Sequence, residues 1–144
     1  MKILFLDIDG VCNSSETFQR HSGVIGIDPY MALLVDRIIQ ATDCKVVLSS
    51  SWKHSQEGRD EVRRQVCDFI DITPNLDSGI RGKEIEAWLS AHPEVKQYAI
   101  LDDDSDMLPE QMDNFFQTKW DTGLTQDIAN KVIQFLSRPP ANEK

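Results

Sequence analysis

Cysteine is scarce in this chain. Cys12, Cys44 and Cys67 are its only three. An odd number at no metal-like spacing excludes a disulfide framework and a thiolate zinc site, and leaves reduced thiols in a cytoplasmic protein as the expectation. Long apolar runs are missing as well. Asp7 and Asp9 interrupt the longest one, so nothing approaches the roughly 20 residues of a membrane-spanning helix. Those carboxylates, behind a single lysine and a very short apolar stretch, also make a poor secretory signal. Positive charge is in deficit: 15 Lys and Arg stand against 24 Asp and Glu, for a formal net charge of -9. That disfavours tight nonspecific nucleic-acid binding, which runs on cationic surface. A small anionic group can still be held where a metal ion and a few local cations reverse the field. There is no internal repeat, low-complexity tract or linker. One catalytic domain over residues 1–138, with a frayed tail at 139–144, is the expected organisation.

What is present alternates. Hydrophobic residues make up 40% of the 144 positions, enough for a compact core. Residues 2–7 form a continuous apolar run, the kind of strand covered on both faces of a parallel sheet. Residues 10–27 read as a loop. Asp28 is placed to cap a helix that has Pro29 in its first turn and Met31, Leu34, Val35, Ile38 and Ile39 on its apolar face. A second buried strand follows at 45–49 (KVVLS), then a charged helix at 57–68 with Val62 and Val66 inward, and a short strand at 69–73. A helix at 82–91, strands at 97–101 and 114–118, and a last helix capped by Thr125 complete the series. This order predicts an α/β, Rossmann-like, doubly wound and mostly parallel sheet of about five strands, with helices on both faces. Ligands bind such sheets beyond the carboxyl ends of the strands.

Those ends carry unusual residues. The first strand stops at Asp7, with Asp9 just beyond; the second stops at Ser49-Ser50-Ser51; a later one stops at Asp102-Asp103-Asp104, with Asp106 following. The helix starting near Gly82 has Lys83 in its first turn. Carboxylates gathered at one edge repel one another unless something neutralises them. A hard cation such as Mg2+ does this with a few carboxylates, water and substrate phosphate. Phosphoryl transfer follows as the chemistry. A carboxylate attacks phosphorus to form an aspartyl-phosphate, and a second acid two residues away moves the proton. Ser49, Lys83 and the backbone N–H groups after Asp7, around Gly10, supply donors to the phosphoryl oxygens.

The sequence resembles the haloacid dehalogenase-like (HAD) phosphatases. DIDGV at 7–11, the apolar strand closed by Ser49, Lys83 at a helix start and ILDDDSD at 100–106 match that superfamily's four motifs in order, across nearly the whole chain. The stretches LSSSWK, RGKEIEAWL, ILDDDSDM and TGLT are similar to small HAD domains associated with RNA-repair proteins and phages. The resemblance implies Asp7 as nucleophile and metal ligand. It implies Asp9 as general acid/base, its backbone carbonyl also reaching Mg2+. Ser49 or Ser50, Lys83 and Gly10 would hold the phosphoryl group, Asp102 or Asp103 would complete the metal site, and Asp106 would support it.

Residues 10–27 leave room only for a flap, and 52–80 only for one helix and a loop, so no large cap is expected. Capless members of this superfamily tend to act on large substrates, which points to a phosphorylated polynucleotide end or phosphoprotein. Lys53, His54, Arg59, Arg63 and Arg64 read first as a solvated helix face paired with Glu57, Asp60 and Glu61, and second as a cationic rim. Asp104 reads as exposed or as a cap, Cys12 as packing, and Trp52, Trp88 and Trp120 as core or rim. Two other function classes compete with the phosphatase. A phosphoacceptor domain of receiver type is disfavoured because the lysine precedes the acidic cluster. A catalytically silent binding or regulatory domain on the same scaffold has nothing in the motifs to support it.

Overall fold

The computed structural model describes residues 1–139, so all but the first residue of the expected tail lies outside the described residues. Five strands form one sheet: β1 (Lys2–Leu6), β4 (Lys45–Leu48), β5 (Asp71–Ile72), β6 (Gln97–Asp102) and β7 (Phe115–Gln117). Their spatial order is β5-β4-β1-β6-β7, and every pairing is parallel. From β1 the chain winds outward through β4 to β5, then returns to β6 on the other side. The direction of winding therefore changes beside β1, where α/β sheets open a crevice.

Alternation along β1 explains why both faces are covered. Leu4 and Leu6 point into one core with α1 (Pro29–Thr42) and α4 (Gln126–Leu136), among Leu34, Val35, Ile38, Val132 and Leu136. Ile3 and Phe5 point into the other core with α3 (Arg81–Ser90), against Ile85 and Trp88. Truncating any of these fully buried side chains to Ala would cost about 2–5 kcal/mol. Helix starts follow local capping. Asp28 accepts from the Tyr30 N–H at 2.9 Å, with Pro29 in the first turn. Thr125 accepts from the Ile128 N–H at 3.3 Å.

Several boundaries differ from expectation. The charged helix, α2 (Gln56–Gln65), stops before residue 68, because the Val66 and Cys67 amides both turn to the Val62 carbonyl. That early exit lets Phe69 insert into the core, and the strand expected at 69–73 shrinks to β5. Within 10–27 lies a small hairpin, β2 (Arg20–His21) and β3 (Val24–Ile25). Two 3-10 helices, Ser51–His54 and Pro109–Asn114, were not legible as helical periodicity because each is a turn or two long. Among the described residues no further element caps the sheet edge, in keeping with the absence of a large cap.

Candidate active site

Backbone hydrogen bonds continue one step past the end of β1. The Asp7 N–H donates to the Leu101 carbonyl and the Ser49 N–H to the Leu6 carbonyl, each at 3.0 Å. Asp7 is thereby locked between Ser49 and Asp102 on three neighbouring strand ends. Asp7 is 5% exposed and Asp102 1%. One oxygen each from Asp7, Asp102 and Asp103 lie within 4.8 Å of one another. Burial, then repulsion from Asp102, pushes the Asp7 carboxyl well above its ordinary range, against the pull of Arg81. Burial likewise pushes Asp102 up to about 6.

Gly10 adopts φ +84°, and a Cβ there would meet the Asp103 carboxyl at 2.3 Å. Glycine at this position thus permits both the turn after Asp7 and the approach of Asp103. The Gly10 N–H is held by Asn13 Oδ1 at 2.8 Å, and the Gly10 carbonyl accepts from the Thr118 hydroxyl. Asp9 is turned aside from the three-acid group. Its Oδ1 accepts from Asn13 Nδ2 at 3.0 Å and from the Trp52 indole N–H at 3.1 Å. Trp52 is itself stacked on His21 of the hairpin, and His21 lies within 3.6 Å of Glu57 and Glu61 of α2.

The expected cation is displaced. Lys83 is exposed on α3, and Arg81 faces the carboxylates in its stead. Arg81 Nη1 lies 2.6 Å from Asp102 Oδ2 and 3.4 Å from Asp7 Oδ1. At about 100° per residue, two helical positions differ by about 200°, so Arg81 and Lys83 cannot share a face. Burial opposes the Arg81 charge, but Asp7, Asp102 and Asp106 outweigh it and raise its pKa. The register of α3 is fixed by Asp106. Ile80 has no capping side chain, so Asp106 Oδ2 accepts the Arg81 N–H at 2.9 Å and the Asp106 carbonyl accepts that of Gly82 at 3.1 Å. Asp106 therefore reaches the site by aiming Arg81.

The serine ambiguity also separates by geometry. Ser50 Oγ caps the first 3-10 helix, accepting from the Trp52 N–H at 3.1 Å. Ser49 Oγ is buried with no hydrogen-bond partner, a costly state that a ligand oxygen would relieve. Together with the three acids, this donor set fits a hard divalent cation beside a phosphoryl group.

Sequence reasoning missed four contributors. Arg81 lay two residues from the expected lysine, and nothing in RGK says which cation faces inward without the helix phase. Asn13 sits in a loop that has no periodic signal. Trp52 was read as packing, although a half-buried indole N–H usually finds a partner. Lys53 was grouped with a solvated helix face, yet it is only 3% exposed and pairs with Glu84 at 3.1 Å. Arg63 and Arg64 do make local pairs, with Asp68 and Glu61. Asp104 is exposed, and Trp88 is core. Cys12 is fully buried, and its thiol is pushed well up by burial, first of all. It is an inert packing group.

Two comparisons with known proteins complete the description. Residues 3–129 match a family model described as the HAD domain in Swiss Army Knife RNA repair proteins. Among curated proteins no match is found.

Proposed function

The chain belongs to the family of HAD domains in Swiss Army Knife RNA repair proteins, and on that premise we propose that it is a Mg2+-dependent phosphohydrolase acting through an aspartyl-phosphate. The proposed substrate is a phosphorylated macromolecule, a polynucleotide end above all. The observation that supports this best is the row Ser49, Asp7, Asp102 on adjacent strand ends with Arg81 across it.

In this reading an Asp7 carboxylate oxygen attacks phosphorus. The bond to the leaving oxygen breaks, and Asp9 gives that oxygen its proton. A water then attacks the same phosphorus and returns a proton to Asp9, the bond to Asp7 breaks, and inorganic phosphate leaves. Arg81, the Ser49 hydroxyl and the amides leading to Gly10 hold the phosphoryl oxygens. Trp52 and Asn13 keep Asp9 in one rotamer for both proton transfers. Asp7, Asp102 and Asp103 would hold Mg2+, with the Asp9 carbonyl as a further ligand. When bound, the ion supplies positive charge against the phosphoryl oxygens. An edge without a large cap suits a substrate too big to enclose. The three free thiols suit a reducing, cytoplasmic setting. The domain is proposed to span residues 1–138.

A silent binding role has one observation in its favour: Arg81 by itself already bridges Asp7 and Asp102. Phosphate release from an aryl phosphate, with Mg2+ and with chelator, for the parent and Asp7→Asn, separates the two. Metal-dependent release lost in Asp7→Asn is the expected result. Release that persists in chelator or in the variant counts against the proposed mechanism. No release there, nor from phosphorylated oligonucleotides and phosphopeptides, leaves the silent role.

A further inference from the structure

We propose that the cleft beside the phosphoryl position is a subsite for the sugar that carries the phosphate, with Asn75 and His54 as its polar contacts and the buried Lys53–Glu84 pair as the device that fixes its wall. The inference rests on the phosphohydrolase reading and adds to it the chemistry of the group next to the phosphate.

The cleft has a volume of about 250 Å³ and is lined by Ser49, Ser51, His54, Asn75 and Arg81, together with the Lys53–Glu84 pair. Because Ser49 and Arg81 also border Asp7, a ligand whose phosphate sits at Asp7 extends directly into it. Leu76 is the only apolar side chain in the lining, and its one ring is the exposed imidazole of His54. Such walls hold no Trp, Tyr or Phe platform for a nucleobase. A hydroxyl, an imidazole and a carboxamide do match sugar hydroxyls, which both donate and accept. Charge points to a neutral occupant. Lys53 is matched by Glu84, and Arg81 is engaged by Asp7 and Asp102, so no cation is left over for a second phosphate in this cleft.

The wall carrying Asn75 belongs to the irregular segment between β5 and α3, and it is pinned by the Lys53–Glu84 pair, which lines the same cleft. Lys53 Nζ donates to Thr73 Oγ1 at 2.8 Å, to the Pro74 carbonyl at 3.5 Å and to Glu84 Oε1 at 3.1 Å. Glu84 Oε2 accepts the Leu76 N–H at 3.1 Å. The two charges therefore hold the backbone on both sides of Asn75. Burying an ion pair gains little stability over an apolar pair of similar volume. What distinguishes this one is that its remaining polar atoms all go to the cleft wall.

The test reads binding, so that it does not depend on turnover. In the Asp7→Asn background with Mg2+, titration calorimetry compares ribose 5-phosphate with inorganic phosphate. The expected result is at least tenfold tighter binding of the sugar phosphate. Asn75→Ala combined with His54→Ala should remove that increment while leaving affinity for inorganic phosphate unchanged. Lys53→Met alone risks failing to fold. The paired replacement Lys53→Met with Glu84→Leu keeps the volume apolar, and it too should remove the increment. Equal affinities, no binding of either probe, or an increment that survives Asn75→Ala with His54→Ala would overturn the subsite. Failure of the phosphohydrolase reading looks different: the wild type releases no phosphate from any ester, while the sugar phosphate still binds preferentially.

Discussion

Two buried charge clusters lie side by side at one edge of this sheet, and they are built on opposite plans. Lys53 and Glu84 are balanced one to one, and their spare donors and acceptors end on backbone and hydroxyl groups. Asp7 and Asp102 share a single guanidinium and hold carboxyls pushed upward by burial, with Asp103 close beside them and Ser49 Oγ left without a partner. The first cluster is closed, so breaking it should cost stability. The second is short of positive charge, so breaking it should cost chemistry and relieve strain. Full burial alone does not separate the two clusters; the sum of charge and the unspent hydrogen bonds do.

The largest expected effect is at the unbalanced cluster. Asp7→Asn should take phosphate release below detection. In chelator its urea midpoint should stay the same or rise, since one of two repelling carboxylates is gone. A strongly destabilised Asp7→Asn would erase the contrast. The mirror-image variant is Glu84→Ala. It strands the Lys53 ammonium in a buried site and should lower stability by about 3–5 kcal/mol in urea unfolding. A loss below about 1 kcal/mol would show that the pair is not closed in the sense described.

The pH dependence sharpens the same contrast. Asp102 titrates near 6 in the folded chain and near 4 when unfolded. Between those values the native state holds the extra proton. In chelator, stability should therefore be greatest at the acid end of this window and decline as pH rises through it, by roughly 2–3 kcal/mol. Asp102→Asn should flatten that slope, whereas Mg2+, which binds the ionised carboxylates, should oppose it. A smaller effect is expected at the support of Asp9. Trp52→Phe keeps the ring over His21 but removes the indole donor, and kcat should fall about tenfold, in line with a lost hydrogen bond to a charged group. An unchanged kcat would remove Trp52 from the site. Smallest of all, Arg63→Ala with Arg64→Ala should shift stability by less than about 0.5 kcal/mol per site. The pair should leave the KM for a phosphorylated oligonucleotide unchanged; a raised KM would revive the cationic rim.

Legibility followed the range of the interaction. The order of strands and helices was readable because each element carries its own pattern: unbroken apolar runs for β1 and β4, and capped periodicity for α1 and α4. Asp7, Ser49 and Asp102 were readable as neighbours because a parallel sheet aligns its strand ends. Lys83 lies away from the acids because α3 enters on an Asp106 cap that no local spacing reveals, and that cap turns Arg81 toward them. Lys53 was misplaced for a similar reason. Its stretch is a single 3-10 turn whose partner, Glu84, is 31 positions away.

The sequence by itself determined the sheet, the alignment of its strand ends and the excess of carboxylates there, because hydrophobic periodicity and the parallel register are local or nearly so. Only the tertiary structure decided which cation meets the acids, which serine is left unbonded and which indole orients Asp9. Those choices depend on helix phase and on side chains meeting across the fold, and a chain read in order carries no local signal of either.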